Sequence, residues 1–222
     1  MLISKKLIFI HYPRTGGTSI QHYLLKVVPD RYYPIDDPHL SRERKLWITH
    51  QGLPAAWQYA RQLGLDPNSI PALVCIRNPY SQMLSGYMYL AQRWKNEVGN
   101  LEETFTDYLL NLKAKTPPRE AHRWANATYG QYTDFLMING ETPDNLTVGR
   151  TERLEQDVMQ FLKRELRLRP RLRLPHRNAS EHKSIAHYYG EQEEQLVYEM
   201  WKQVFDNGLY QRYQGLERSP AD

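Results

Sequence analysis

The sequence predicts an α/β fold in which helices flank a central, mostly parallel sheet. Two observations support this prediction: short apolar runs typical of buried strands recur along the chain, and amphipathic segments with helical spacing lie between them. Alternating strands and helices are the pattern from which parallel sheets are built. The chain has 222 residues, of which 41% are hydrophobic and 24% charged, so we expect one domain over residues 1–222 with a sizeable core.

The predicted elements follow one another without a clear linker or repeat. The apolar runs that predict strands lie at residues 7–11, 46–50, 71–76 and 146–148. The segments with helical spacing lie at residues 18–28, 55–63, 79 to about 94, 133–138, 154–166 and 196–205. Asn78 before Pro79 is typical of a helix N-cap followed by proline at the first helical position. Gly64 and Gly208 are expected to end the helices that precede them, and residues 113–119 are a predicted loop.

The stretch HYPRTGGTS, residues 11–19, lies between a predicted strand and a predicted helix. Gly16 and Gly17 allow a tight turn in which successive backbone N–H groups point at one anion. The following helix adds unpaired N–H groups and the positive end of its dipole, and Arg14 adds a fixed charge with several donors. Further hydroxyl donors are supplied by Thr15, Thr18 and Ser19. This composition predicts a site for a phosphate or sulfate group.

Two other phosphate-binding motifs do not fit this stretch. The nucleotide-triphosphate loop requires a lysine before a hydroxyl residue, and that lysine is absent from HYPRTGGTS. The dinucleotide fingerprint requires three spaced glycines, whereas only Gly16 and Gly17 are present. An ordinary strand-to-helix turn with a polar surface is the structural alternative.

A second stretch, IRNPYSQMLSGY, places Arg77 at the end of a predicted strand and Ser85 eight residues later in the next helix. Ser81 lies one turn before Ser85 on the same helix face. In a doubly wound sheet, the carboxyl ends of neighbouring strands open onto the same crevice. An arginine and a serine placed there would bind a second phosphate. The ligand is therefore expected to carry two separate phosphate groups.

The two stretches together carry the signature of a known family. HYPRTGGTSI resembles the 5′-phosphosulfate loop of sulfotransferases, and IRNPYSQMLSGY resembles their 3′-phosphate motif. VGRTERLEQDVMQFL, NASEHKS and a terminal helix ending near GLYQRY extend the resemblance to the carbohydrate-type sulfotransferase family 2. The likeness covers the chain from Lys6 to about Tyr213.

This resemblance implies a P-loop-like core, a sulfuryl donor and a set of binding residues. The implied donor is 3′-phosphoadenosine 5′-phosphosulfate (PAPS), the product is adenosine 3′,5′-bisphosphate (PAP), and no metal is required. Residues 14–19 would hold the 5′ end of the nucleotide, and Arg77 with Ser85 would hold its 3′-phosphate. Lys183, in NASEHKS, would be a further nucleotide contact, with an ordinary surface lysine as the alternative. The acceptor would be a hydroxyl group, and the family favours a carbohydrate; lipid, peptide tyrosine and small-metabolite acceptors stay open.

Sulfuryl transfer needs an acceptor oxygen in line with the leaving phosphate, and it needs stabilisation of the charge that develops there. Arg14 is the predicted catalytic cation, acting together with the loop amides. His50 is the predicted general base, because histidine suits proton transfer near neutral pH and position 50 ends a predicted strand. A structural histidine is the alternative for His50, and His11 is expected to support the loop. Alternative sources of the base or of acceptor binding are Asp36, Asp37 and His39.

Composition and charge restrict the other functions. The formal net charge of +4 is too small to predict nucleic-acid binding. No apolar stretch reaches the roughly 18 residues of a membrane-spanning helix, so we expect no membrane span. The single cysteine, Cys75, favours a reducing compartment, and we expect a cytoplasmic enzyme. Rival interpretations are a P-loop kinase that uses ATP and a non-catalytic nucleotide-binding module with the sulfotransferase fold.

Overall fold

The structure, a computed structural model, describes residues 1–28, 30–33, 49–97, 103–114, 132–168 and 184–213. Its contacts divide the chain into two compact units. The first unit comprises Met1–Arg77 and Ala127–Arg177, and the second comprises Asn78–Asn126 and Asn178–Asp222. The single domain expected over residues 1–222 stays a prediction.

The first unit contains a five-stranded sheet. Its strands are β1 (Leu2–Ser4), β2 (Ile8–Ile10), β3 (Arg31–Tyr33), β4 (Ala72–Ile76) and β5 (Leu146–Arg150), in the spatial order β3-β1-β2-β4-β5. β2, β4 and β5 run parallel to one another, whereas β1 pairs antiparallel with both β2 and β3. The α/β class is therefore confirmed. The sheet is mixed: it is parallel in the three strands that were predicted from apolar runs and antiparallel at the β1–β3 edge.

The helices of the described residues lie between the strands and after the last strand. In chain order, they are α1 (Gly17–Val27), α2 (Leu53–Gln62), α3 (Pro79–Glu97), α4 (Phe105–Ala114), α5 (Tyr132–Leu136), α6 (Leu154–Leu166), α7 (Ile185–Tyr188), α8 (Glu191–Met200) and α9 (Lys202–Asp206). The first unit contains α1, α2, α5 and α6, all of which the spacing of apolar residues predicts. None of the described helices has both the length and the apolar composition needed to span a bilayer.

The core of the first unit lies between the sheet and helices α1 and α6. All five residues of β4 are buried, as expected for a central strand covered on both faces. Phe9 of β2 and Leu73 of β4 belong to one buried apolar cluster with both helices. The helical members of that cluster are Ile20, Tyr23, Leu24, Val158, Phe161 and Leu162. Each fully buried apolar side chain of this size contributes about 1.5–3 kcal/mol to stability, so this cluster holds α1, and the loop before it, against the sheet.

Cys75 of β4 is buried, and its thiol lies beside β5 and α6. A Cβ placed on Gly149 of β5 would lie 3.0 Å from the Cys75 Sγ and 3.3 Å from the Cβ of Asp157. The glycine therefore leaves room for the thiol between strand and helix. Burial, reinforced by the nearby Asp157 carboxylate, raises the pKa of the Cys75 thiol far above its usual range.

The second unit begins with a helix start that the sequence predicts. Pro79 is the first residue of α3, and the side-chain oxygen of Asn78 accepts a hydrogen bond from the Tyr80 N–H at 3.0 Å. This bond pairs one of the N–H groups that a helix leaves open at its start. The N-cap prediction is confirmed, and the helix continues to Glu97, a few residues beyond the predicted end.

One carboxylate joins three segments of the second unit. Glu194 of α8 accepts hydrogen bonds from the Tyr80 hydroxyl at 2.5 Å and from Nε and Nη2 of Arg212 at 2.8 and 2.7 Å. The Arg212 guanidinium also lies 4.0 Å from the ring centroid of Tyr198. These contacts attach the segment that follows α9 to α3 and α8 through a bidentate ion pair.

The predicted helix at residues 196–205 is divided in the structure. α8 ends at Met200 and α9 starts at Lys202, with Trp201 between them in a non-helical conformation. Trp201 is buried, so the apolar periodicity of the sequence continues through the break. That periodicity therefore cannot reveal where α8 ends and α9 starts. Gly208 ends α9 as predicted, with a left-handed φ of 67°. The N–H of Gly208 donates to Phe205 and the N–H of Leu209 donates to Val204, as in a Schellman motif.

Two further sequence predictions are wrong in the described residues. Thr49 is helical and His50 lies in a turn, so no strand ends at His50; residues 46–48 lie outside the described residues. A short apolar run does not by itself distinguish a strand from a helical turn. Lys113 and Ala114 end α4 instead of opening a loop, because Phe105, Tyr108 and Leu109 form a buried helical face just before them. Residues 115–119 lie outside the described residues.

Candidate functional site

The loop between β2 and α1 turns through two left-handed residues. Arg14 has a φ of 63° and Gly16 has a φ of 81°. Glycine adopts this conformation without strain, whereas for arginine it costs on the order of 1 kcal/mol and requires support from neighbouring groups. Backbone turns of this kind direct successive N–H groups to one concave side, which binds anions.

Helix α1 begins directly after this loop. Gly16 occupies the N-cap position, and its carbonyl oxygen accepts from the N–H groups of Ser19 at 3.0 Å and Ile20 at 3.2 Å. Within the described parts of the chain, the N–H groups of Gly17 and Thr18 are paired with no acceptor. Open N–H groups at a helix start, combined with the positive end of the helix dipole, favour an anion there.

The three hydroxyl groups of the loop have different surroundings. Thr15 is almost fully buried, and its Oγ1 donates to the Tyr12 carbonyl oxygen at 2.8 Å, so this hydroxyl closes the turn. Ser19 is also buried, whereas Thr18 is exposed. Thr18 is therefore the most accessible of the three predicted hydroxyl donors.

The carboxyl ends of β4 and β5 contact the loop through two side chains. Nη1 of Arg77, which follows β4, donates to the Arg14 carbonyl oxygen at 3.2 Å. Oγ1 of Thr151, which follows β5, lies 3.0 Å from the carbonyl oxygen of Thr15 and 3.0 Å from that of Ile76. The two contacts reach the carbonyl groups of adjacent loop residues, Arg14 and Thr15, so the loop is attached to the strand ends at two points.

Neither Thr151 nor Arg150 is among the site residues predicted from the sequence. The register of the parallel strands pairs Ile76 with Arg150, which brings the two strand ends level. Arg150 thus ends β5 as Arg77 follows β4, and the rule that singled out Arg77 applies to both. The signal was missed because the predicted fourth strand ended two residues too early. Arg14, Arg77 and Arg150 place three positive charges near the carboxyl ends of the three parallel strands, which suits an anionic ligand.

His11 packs against the start of α1, where it supports the loop as predicted. Its ring lies so close to Gly17 that a Cβ at that position would be 2.0 Å from the His11 Cδ2. Nδ1 of His11 is 2.9 Å from Oε1 of Gln21, one turn further along the helix. Burial is the main reason that the pKa of His11 falls well below its usual range, so His11 is neutral near pH 7.

His50 lies beside His11, with the two ring centroids 4.4 Å apart in an edge-on arrangement. Nδ1 of His50 is 3.2 Å from the His11 carbonyl oxygen. A carbonyl oxygen only accepts, so Nδ1 carries the proton and Nε2 keeps its lone pair. Burial lowers the pKa of His50 to about 4, with the charges of the amino terminus and Arg14 acting in the same direction and the bond to His11 opposing them. His50 is thus a neutral imidazole with an unprotonated Nε2.

The structure places Arg77 and Ser85 in different units. Arg77 closes the first segment of the first unit, and Ser85 lies in α3 of the second unit, where it is buried. Ser81, one turn earlier, donates from Oγ to the Asn78 carbonyl oxygen at 3.1 Å, so that hydroxyl is bonded at the helix start. The joint grip of Arg77 and Ser85 on a phosphate stays a prediction. The candidate residues that lie outside the described residues are Lys183, Asp36, Asp37 and His39.

Among the described residues, no group of three or more histidine, cysteine, aspartate or glutamate side chains is arranged to hold a metal ion. No family model, no curated protein and no solved structure matches the chain. The loop, the strand ends and the histidine pair are therefore the features that bear on function.

Proposed function

We propose that the chain is a sulfotransferase with a P-loop-like core, which moves a sulfuryl group from PAPS to an acceptor hydroxyl. The observation that carries this proposal is the loop of residues 14–18. It turns through left-handed Arg14 and Gly16, leads into open N–H groups at the start of α1, and is flanked by the guanidinium of Arg77. Such a loop suits the 5′-phosphosulfate group that its sequence resemblance implies.

The loop would bind the 5′-phosphate and stabilise it as the leaving group. In the reaction, a bond forms between the acceptor oxygen and sulfur, while the bond between sulfur and the bridging oxygen of the 5′-phosphate breaks. The electron pair stays on that phosphate oxygen, so negative charge grows there. The N–H groups of Gly17 and Thr18 and the charge of Arg14 oppose that charge without having to reorganise. Arg77 with Ser85 would hold the 3′-phosphate of the same nucleotide.

His50 would accept the proton of the acceptor hydroxyl at Nε2. The bond from Nδ1 to the His11 carbonyl oxygen selects the tautomer that this role requires. A pKa of about 4 makes the free imidazole a weak base. A donor that brings negative charge close to the ring would raise that pKa, because an adjacent anion favours the protonated form. The acceptor class that the resemblance favours is a carbohydrate hydroxyl.

Calorimetric titration with PAP, and separately with ATP and magnesium, tests the proposal. Wild type is expected to bind PAP in preference to ATP, and Arg14→Gln is expected to weaken PAP binding by roughly tenfold to a hundredfold, because it removes charge-assisted hydrogen bonds. Arg164→Gln is the matched control, since Arg164 is an exposed residue of α6 that pairs with its neighbour Glu165.

The alternatives give other results in the same experiment. Preference for ATP with magnesium would support the kinase, and failure to bind either nucleotide would exclude a nucleotide-dependent transferase. Tight PAP binding justifies a turnover assay, in which release of PAP from PAPS is followed with carbohydrate and other hydroxyl acceptors. PAP binding without turnover on any acceptor would support the non-catalytic module.

A further inference from the structure

Two consecutive carbonyl groups of the loop are held by side chains from the sheet. The Arg14 carbonyl oxygen accepts from Nη1 of Arg77 at 3.2 Å, and the Thr15 carbonyl oxygen accepts from Oγ1 of Thr151 at 3.0 Å. Arg77 follows β4 and Thr151 follows β5, so neither donor belongs to the loop itself. Each donor directly follows a strand, and the register of these two paired strands is continuous up to Ile76 and Arg150.

Fixing a carbonyl group also fixes the N–H group of the following residue. A trans peptide is planar, and its C=O and N–H bonds point in opposite directions. A carbonyl of Arg14 directed at Arg77 therefore turns the N–H of Thr15 away from the sheet end. In the same way, a carbonyl of Thr15 directed at Thr151 turns the N–H of Gly16 away. In the described residues, neither of these N–H groups is paired with a protein acceptor.

The side chain of Thr151 is suited to this contact. Its Oγ1 lies 3.0 Å from the Thr15 carbonyl oxygen and 3.0 Å from the Ile76 carbonyl oxygen, and both of these groups only accept. The single hydroxyl proton is thus shared between the end of β4 and the loop. Valine has the same shape as threonine but no donor, whereas serine keeps the donor and loses only a methyl group. These two substitutions separate the hydrogen bond from the packing of the side chain.

We infer that Arg77 and Thr151 are positioning residues, which orient the peptide planes at residues 14–16 so that the N–H groups of Thr15 and Gly16 face a bound anion. The identity of that anion as the 5′-phosphate of the nucleotide rests on the proposed function. The orientation of the peptide planes does not. Arg77 has further donors beyond Nη1, so a contact with the 3′-phosphate is compatible with this role but is not required by it.

Two nucleotides that differ in one phosphate separate positioning from direct contact. Calorimetry compares PAP with adenosine 5′-phosphate, which lacks the 3′-phosphate. Thr151→Val is expected to weaken the binding of both by the same factor, about fivefold to tenfold for one hydrogen bond. Thr151→Ser is expected to restore binding to near the wild-type level. Thr147→Val, at the opposite end of β5, is the matched control.

Arg77→Ala distinguishes the two roles of that residue. A positioning role weakens the binding of both nucleotides equally, by roughly tenfold or more, since a bond from a charged donor is lost. A role limited to the 3′-phosphate weakens only PAP binding. Equal affinities of wild type and Thr151→Val, or a Thr151→Ser variant as weak as Thr151→Val, would overturn the inference for Thr151. Loss confined to PAP would overturn it for Arg77.

Amide resonances keep the inference testable if wild type binds neither nucleotide. That result would contradict the proposed function but would leave the positioning roles of Arg77 and Thr151 to be tested. Proton–nitrogen correlation spectra are then recorded with inorganic sulfate as the probe. If Thr151 orients the loop, sulfate should shift the Thr15 and Gly16 amide signals in wild type and in Thr151→Ser. These shifts should be lost in Thr151→Val. The same shifts in Thr151→Val, or no shift in wild type, would overturn the inference.

Discussion

The imidazole of His11 fills the space beside Gly17, so closely that a Cβ at position 17 would lie 2.0 Å from Cδ2 and 2.3 Å from Nε2 of the ring. His11 cannot easily move away, because Nδ1 contacts Gln21 and its carbonyl oxygen binds the ring of His50. The second glycine of the loop is thus explained by contact with a histidine six residues earlier in the sequence. Gly17 is required for close packing, whereas Gly16 is required for its left-handed backbone.

Gly17→Ala is expected to lower the free energy of unfolding by about 1–3 kcal/mol, because the methyl group must displace a buried ring. It is also expected to weaken PAP binding, since α1 and the loop shift together. Urea unfolding and calorimetry measure the two effects. Gly64→Ala is the control: its φ of 72° strains an alanine, but nothing lies within 4 Å of the added Cβ. A Gly17→Ala variant that binds PAP as well as Gly64→Ala would contradict the packing argument.

His50→Gln is expected to lower kcat by roughly a hundredfold or more while leaving PAP binding near the wild-type level, because general bases contribute about 10²–10⁴ to rate. Glutamine keeps a polar side chain next to the His11 carbonyl oxygen but cannot accept the proton. Steady-state kinetics and calorimetry give the two readouts. Gln51→Ala, at the next position, is the control for local disturbance. Unchanged kcat in His50→Gln would show that another group is the base.

The pH dependence of kcat/KM gives an independent check on His50. This parameter reports the pKa of the base in the free enzyme, and burial lowers the pKa of His50 to about 4. We therefore expect no acidic limb from this residue between about pH 5 and 8, and a decline only as pH approaches about 4. An acidic limb near pH 6.5 that disappears in His50→Gln would mean that the ring is more exposed than the structure places it.

Stability is expected to decrease as pH falls from about 6.5 towards 4. Both His11 and His50 have lowered pKa values in the folded protein, chiefly because of burial. In that window, the unfolded chain binds protons that the folded chain does not, so the free energy of unfolding falls with pH. His50→Gln should make this slope shallower. The total loss of unfolding free energy between about pH 6.5 and 4 should then be smaller by on the order of 2 kcal/mol. Urea unfolding at several pH values measures the slope. An unchanged slope in His50→Gln would show that the pKa of His50 is not lowered in the folded protein.

Arg212→Ala is expected to lower the free energy of unfolding, because it leaves the Glu194 carboxylate without its charged partner. Burial alone would raise the pKa of Glu194, but the hydrogen bonds from Arg212 and Tyr80 and the charge of Arg212 outweigh burial, so the pKa is lowered. This contribution is present at neutral pH and is lost as pH falls through the lowered pKa. Arg212→Lys should recover only part of the loss, since lysine cannot make the paired contact.

The double variant Arg212→Ala/Glu194→Gln tests whether an unpaired charge causes that loss. It should be more stable than Arg212→Ala alone, because no uncompensated carboxylate remains at the contact. Urea unfolding at pH 7 compares the variants with wild type. If the double variant is less stable than Arg212→Ala, the contribution of Arg212 comes mainly from its packing over Tyr198.

The parts of the fold that the sequence predicts correctly are those with a strong local pattern. β4 is a continuous apolar run, and α6 carries apolar residues at regular helical spacing, so each is recognisable on its own. β1 and β3 have only three residues each and are strands because they pair with each other. Short segments of this kind are determined by tertiary contacts, which a local pattern does not contain.

In the candidate site, too, the features with a local sequence pattern are predicted and those that depend on long-range contacts are not. The composition of HYPRTGGTS predicts an anion-binding turn, and its residues do form a turn between strand and helix. The contact of Thr151 with Thr15 joins positions 136 residues apart, and no spacing rule covers that distance. His50 was singled out as the end of a strand, but it is brought to the loop by its bond to the His11 carbonyl oxygen instead.

The buried position of Cys75 makes the protein convenient for site-specific labelling. The chain has one cysteine, and its thiol is enclosed by Gly149 and Asp157 with a strongly raised pKa, so maleimides should not react with it under native conditions. A second cysteine introduced at an exposed position would then carry a fluorophore without removal of the native residue. Reaction of Cys75 itself requires β5 and α6 to separate. The rate at which Cys75 is modified therefore measures how often β5 and α6 separate.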